Sequence, residues 1–287
     1  MKTAKLMTLT VLSFALGACE KAGGTQSEIE VLNPGSGEKH SLQLNFVAGD
    51  TQTAEMSLDM NMDVPSLMSM DIHMTFGYEL EILKVEEQDG GRVGHFKLTF
   101  TDVGMKVTPT SPQLDQLASK FDELKGESLL ASMDQKGKQG YVKPADDKVG
   151  SVFQSLGMNA EQLEQMFDDI YPDIPPEPIG VGGSWRIEKK THQGQNDLKV
   201  NMTYKLAAAK KLPDGSEEIT LDLSGRAKVK GGGVEGGGDV SGQIVYVPAR
   251  GRATRGHVDT DITAASGEQK VHMKLGFEYR EKSHHTK

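Results

Sequence analysis

Met56, Met60, Met62, Met68, Met70 and Met74 all stand at even positions, so in an extended chain their thioethers share one side. Thioether side chains are flexible and polarizable. They fill irregular gaps in a core, they accept varied apolar partners at a binding surface, and as soft donors they ligate Cu(I). All three uses are open for this face. Against copper, His73 falls on the other side from Met70 and Met74, and no Met-x-x-Met ladder is present. For an apolar ligand, the residues placed to face it are Met60, Met62, Met70, Met74 and Phe76.

The other residues with catalytic or metal-binding potential do not assemble into a motif. Gly182-Gly183-Ser184-Trp185-Arg186 approaches a nucleophile elbow, but Arg186 stands where the tight strand-to-helix turn needs a second glycine. Gly231 to Gly238 contains six glycines yet lacks the Lys-Ser/Thr and following helix of a phosphate cradle. It reads more simply as a flexible hairpin tip. The adjacent pairs Asp146-Asp147 and Asp168-Asp169 diverge in direction, while Asp259 and Asp261 share one side of a strand; solvated surface accounts for all three. His40, His73, His95, His192, His257 and His272 are dispersed, and His284-His285 lies in the terminal tail. No His pair at ligand spacing with a third donor points to zinc. The expectation is a non-enzyme with no cofactor and no metal.

The single cysteine, Cys19, is different, because its neighbours give it a function. Lys2 and Lys5 precede an apolar run from Leu6 to Leu16 that is too short to span a bilayer. The run closes on Leu16-Gly17-Ala18-Cys19. This stretch resembles the processing box of bacterial lipoproteins, in which the Cys thiol is diacylated and becomes the new N-terminus. The resemblance implies that residues 1–18 are a signal peptide and that Cys19 is a membrane anchor. Two acyl chains give stable anchoring where one gives marginal binding. It also implies an exported domain without disulfides, stabilised by packing alone.

The formal charge of the 287-residue chain is −9, and loss of Lys2 and Lys5 with residues 1–18 leaves −11. Such a balance excludes nucleic acid as a partner and argues against electrostatic adhesion to anionic lipid. The acyl chains must hold the protein down. Residues 19–40, with Gly23-Gly24-Thr25 and Asn33-Pro34-Gly35-Ser36-Gly37, read as a flexible polar tether.

Beyond it, alternation with period two dominates. It runs from Met56 to Val64 and from Met68 to Ile82, and recurs at Leu42-Leu44-Phe46, Phe96-Leu98-Phe100, Leu198 to Leu206, Ile219-Leu221-Leu223 and Val271 to Tyr279. Each segment predicts a strand with one dry face, the signature of antiparallel sheets. Met68 to Ile82 would extend about 50 Å at about 3.3 Å per residue, so the strand must twist and curl. Helices are predicted only in the middle. Ser111 caps one with Pro112 at its first position and Leu114, Leu117, Ala118, Phe121 and Leu124 on one stripe. Leu163, Met166, Phe167 and Ile170 form a second stripe after Asn159, and Val152, Phe153 and Leu156 a short one before it. The dry face of the sheet is the surface available to them.

The fold class expected is mainly β (α+β): a long, strongly curved antiparallel sheet with a few short amphipathic helices over its apolar face. Tyr171 to Pro178 is a rigid Pro-rich connector. It separates a β region with central helices, 41–178, from an antiparallel β region, 179–287, continuous with the first.

The whole arrangement of box, tether, β region, connector, Val181-Gly182-Gly183-Ser184-Trp185 and second β region resembles a family of bacterial lipoproteins without assigned activity. More loosely, it is similar to the LolA-like lipid-binding lipoproteins. The resemblance implies a lipid-anchored protein of the bacterial envelope, at the outer membrane facing the periplasm, with a lipid or other apolar molecule as ligand. The alternative is a structural lipoprotein with a solid core that contacts other envelope proteins.

Overall fold

The computed structural model describes residues 28–64, 68–88, 91–156, 174–193, 196–266 and 269–285. Among the described residues there are fourteen strands: β1 (Glu28–Asn33), β2 (Ser36–His40), β3 (Thr51–Val64), β4 (Met68–Gln88), β5 (Gly91–Thr108), β6 (Ser128–Asp134), β7 (Gln139–Pro144), β8 (Ile179–Val181), β9 (Ser184–Gln193), β10 (Asn196–Lys211), β11 (Glu217–Gly231), β12 (Val234–Val247), β13 (Arg252–Ser266) and β14 (Gln269–His285). Twelve form one antiparallel sheet in the order β1-β9-β10-β11-β12-β13-β14-β3-β4-β5-β6-β7, and β2 pairs with β8 separately. Among the described residues β1 and β7 are the edge strands, and the sheet is not closed into a barrel.

Two meanders, β3 to β7 and β9 to β14, are joined where β14 pairs with β3 over Thr51–Asp63. The regions on either side of the Pro-rich connector therefore share one hydrogen-bonded ladder. Alternation decides which side is dry: Met60, Met62, Met70, Ile72 and Met74 are buried while Asp59, Asn61, Asp63, Ser69 and Asp71 are exposed. β4 is longer than its alternation suggests, and its pairing with β5 shifts at Gly77/Tyr78 and Ile82/Lys84. Bulges of this kind bend a long strand and raise its twist.

The helices form where their caps dictate. In α1 (Pro112–Asp122) the Ser111 hydroxyl accepts from the Leu114 amide, and in α2 (Asp147–Ser155) the Asp146 carboxylate accepts from the Val149 amide. Asp146, which sequence placed on solvated surface, is thus a cap. Phe121 of α1 packs edge-on to Phe76, ring centroids 5.3 Å apart, and Phe153 of α2 lies 6.4 Å from Phe100. Each such ring contributes about 1.5–3 kcal/mol by leaving water. The stripe at Leu163–Ile170 and the processing box with Cys19 lie outside the described residues.

Three expectations are corrected. Residues 28–40, assigned to the tether, are strands: Val31 is in register with Trp185, and His40 with Ile179. Leu42-Leu44-Phe46 alternates because it is buried on one side, but it joins no ladder. The Leu44 amide donates to Gln135 O and the Asn45 amide to Pro248 O, so the segment straps β6 and β7 to the turn after β12. The Gly231–Gly238 run is not all hairpin tip. Gly232 and Gly233 make the turn with positive φ, whereas Gly236, Gly237 and Gly238 belong to β12.

Candidate ligand-binding face

The dry side of the sheet is covered unevenly. At one end it is solid: Trp185 stacks on Tyr204 at 5.4 Å, and Leu206, Ile219, Leu221, Phe46 and Leu129 are fully enclosed. Along β13, β14 and the facing part of β3 it is half open. There the register sets Val258 beside Phe277 and Phe277 beside Leu58, then Thr260, Leu275 and Met60 on the next row, and Ile262, Met273 and Met62 on the one after. Val258, Phe277, Leu58, Leu275 and Met273 are only partly buried. From Val271 to Phe277 this strip runs about 20 Å at about 3.4 Å per residue. That exceeds the roughly 15 Å of hydrocarbon in one bilayer leaflet.

What opens the strip is glycine. On β12 the dry-side positions 236, 238 and 242 carry no side chain, and Gly256 on β13 extends the gap. A Cβ on Gly238 would sit 1.7 Å from Asp261 O, one on Gly242 2.2 Å from His257 O, and one on Gly236 2.4 Å from Thr263 O. All three would strike the backbone of β13. The backbones of β12 and β13 are therefore folded closely together in a crease, which only glycine permits. The crease leaves a floor of bare backbone beside a wall of Leu, Met, Val and Phe.

The residues expected to face a ligand all lie on the dry side. Met60, Met62, Met70, Met74 and Phe76 are 4%, 2%, 3%, 3% and 7% exposed. Met62 is in register with Met70, and Leu58 with Met74. Phe76 lies under Phe121 of α1. These side chains back the half-open strip, and its accessible surface comes from Leu58, Val258, Met273, Leu275 and Phe277. The signal for β12 was present in the sequence: Gly236 and Gly238 keep step with Val240. A glycine run suits a turn as readily as a strand, so composition alone does not separate the two.

The polar side carries a shallow groove of about 760 Å³ across β12 to β5, lined by Asp59, Asp71, Asp239, Asp259 and Asp261 with His73, Lys106 and Lys274. His73 Nδ1 lies 2.6 Å from Asp59 Oδ1, and His272 Nε2 lies 2.6 Å from Asp261 Oδ1. Among the described residues no three His, Cys, Asp or Glu side chains converge as metal ligands. On the neighbouring strands β9 and β10, Lys190 and Lys199 hold the Glu188 carboxyl down to about 2.

A buried polar cluster closes the solid end. Gln52 donates to Tyr279 Oη (2.7 Å) and Ala253 O (3.1 Å), and the Tyr279 hydroxyl donates to Ala253 O (3.2 Å). Beside them Asp50 and Arg252 are buried, with His284 Nε2 3.6 Å from Asp50 Oδ2 and Arg252 Nε 3.4 Å from Glu281 Oε1. Burial pushes the Glu281 carboxyl up against the pull of Arg252, and burial with the Arg252 charge pushes the His284 imidazole down. His40, buried 2.9 Å from Glu217, ties β2 to β11 in the same way. No sequence motif announces these pairs, since their members lie up to 234 residues apart (284 − 50).

No protein-family model matches the chain, and no curated protein matches it significantly in sequence. Several solved structures align with the chain at low identity. A lipovitellin structure concerned with lipid–protein interactions aligns over 84% of this chain with 11% identity and a TM-score of 0.39. The chain spans 26% of the lipovitellin chain, about a quarter. A Parabacteroides distasonis structure described as that of a lipoprotein aligns over 86% of this chain and 100% of its own, with 8% identity and a TM-score of 0.28. A LolA superfamily protein from Nitrosomonas europaea aligns over 82% of this chain and 86% of its own, with 8% identity and a TM-score of 0.17.

Proposed function

We propose that the protein is a lipid-anchored lipoprotein of the bacterial envelope, held at the outer membrane by Cys19 and facing the periplasm, that binds an apolar ligand rather than catalysing a reaction. The observation that carries this reading is the half-open strip of Leu58, Val258, Met273, Leu275 and Phe277 beside the glycine crease. A contiguous, partly buried apolar surface of this kind is a binding feature. Its length suits an acyl chain laid along β14, and the methionines behind it can adjust to chains of different shape. No residue needs to react, which agrees with the dispersed histidines and the polar side facing away.

The test offers a dioleoyl phospholipid or a hydrophobic dye to the delipidated protein and compares Leu275→Asp with Met74→Asp. Leu275→Asp should remain folded and lose binding, because its carboxylate stays half in water. Met74→Asp places an unpaired charge in a closed core, costs several kcal/mol and removes a large part of the stability of an ordinary domain. Near one equivalent bound by the wild type and none by folded Leu275→Asp supports the reading. Absence of binding by the wild type, or unchanged binding by Leu275→Asp, overturns it in favour of a solid-core structural lipoprotein.

A further inference from the structure

Three exposed apolar side chains gather at one corner of the fold, where the described chain begins. Val31, Leu32 and Val181 are 37%, 47% and 40% exposed. Leu32 is extruded at the bulge between Val31 and Asn33 on the free edge of β1. Val181 pairs with Ser36, and the Gly180 amide donates to Pro34 O at 2.9 Å, so the β1–β2 and β8–β9 corners meet. Lys39 folds over the same corner, its ammonium donating to Pro34 O and to Gly35 O, the latter at 3.1 Å. Glu30 and Glu38 belong to the same two strands, and Glu30 is ion-paired with Arg186.

The position of this corner in the chain identifies its occupant. Cys19 is nine residues from Glu28, a reach of about 30 Å at most when fully extended. A compact chain of this length has a radius of gyration of about 19 Å, so its far side lies well beyond that reach. The surface around β1 is therefore within reach of the bilayer holding the acyl chains.

We propose that Val31, Leu32 and Val181 dock on that lipid surface, with the apolar tips at the headgroup–acyl boundary and Lys39 at the headgroup phosphates. The contact adds an orientation to the anchor, and it rests on the assignment of Cys19 as acylated. Net charge and these two glutamates favour zwitterionic over strongly anionic lipid.

The experiment uses the acylated protein in phosphatidylcholine vesicles. Acylation leaves an introduced cysteine as the free thiol, so an environment-sensitive dye is attached at Val181→Cys or, as a control, at Glu235→Cys beside the β11–β12 tip. The expected result is a blue shift and loss of quenching by an aqueous quencher at 181 but not at 235. Val31→Asp with Leu32→Asp should abolish both effects while the protein still floats with the vesicles. Dye at 181 that stays in water on floating vesicles overturns the docking and leaves the anchor standing. Protein that does not float overturns the anchor and the docking together.

Discussion

Gly238 and Gly256 both lie on the dry side of neighbouring strands, and alanine at the two should have opposite effects. A Cβ on Gly238 would be 1.7 Å from Asp261 O and 2.7 Å from Ile262 Cα, whereas one on Gly256 would meet nothing closer than Gln243 O at 3.4 Å. Neither glycine has a positive φ, so contact and not backbone strain separates them. The clash at Gly238 is with backbone, which no rotamer change relieves; β12 must move away from β13 and the crease must open. Overpacking of this kind costs about 1–3 kcal/mol. Gly256→Ala meets ordinary contact and restricts the unfolded chain, so it should stabilise by about 0.4–1 kcal/mol. Urea unfolding followed by circular dichroism measures both. With a slope of about 3 kcal/mol per molar, the two midpoints should differ by about 0.5–1.3 M, Gly238→Ala lower and Gly256→Ala higher than wild type. Equal midpoints, or a Gly238→Ala midpoint above wild type, would refute the crease.

Peroxide should oxidise Met202 and Met273, which are partly buried, before Met60, Met62, Met70 and Met74, and mass spectrometry of peptides at timed points should show this order in the native state and not in urea. His284 is held below its ordinary pKa of 6.5, so the folded state resists the proton. Its penalty is absent above that value and grows as pH falls through it, and His284→Gln should flatten the fall in unfolding midpoint between pH 7.5 and 5.5; an unchanged slope counts against the cluster. Ser111→Ala and Asp146→Ala should each cost about 1 kcal/mol by removing a helix cap, with Thr at 111 restoring most of the loss.

Local rules carried much of this protein into its sequence. Alternation is a property of neighbouring residues, so β3, β4, β10, β11 and β14 and the face taken by Met60, Met62, Met70 and Met74 follow from the chain itself. The cap at Ser111 and the proline after it marked α1 for the same reason. Alternation, however, assigns a side and not a partner. It could not tell that Leu42-Leu44-Phe46 is a strap while Glu28–Asn33 is a strand, because ladder pairing depends on residues about 155 positions away. Nor could it show that β14 closes on β3, or which stretch of a uniformly apolar face lacks a cover. That was decided by where the helices rest, over Phe76 and Phe100, and by the glycines of β12, whose missing side chains matter only once β13 lies against them. Burial is a long-range property of the assembled sheet, so the strip that makes the candidate site exists only in the tertiary structure, although each of its residues was written as an ordinary strand position.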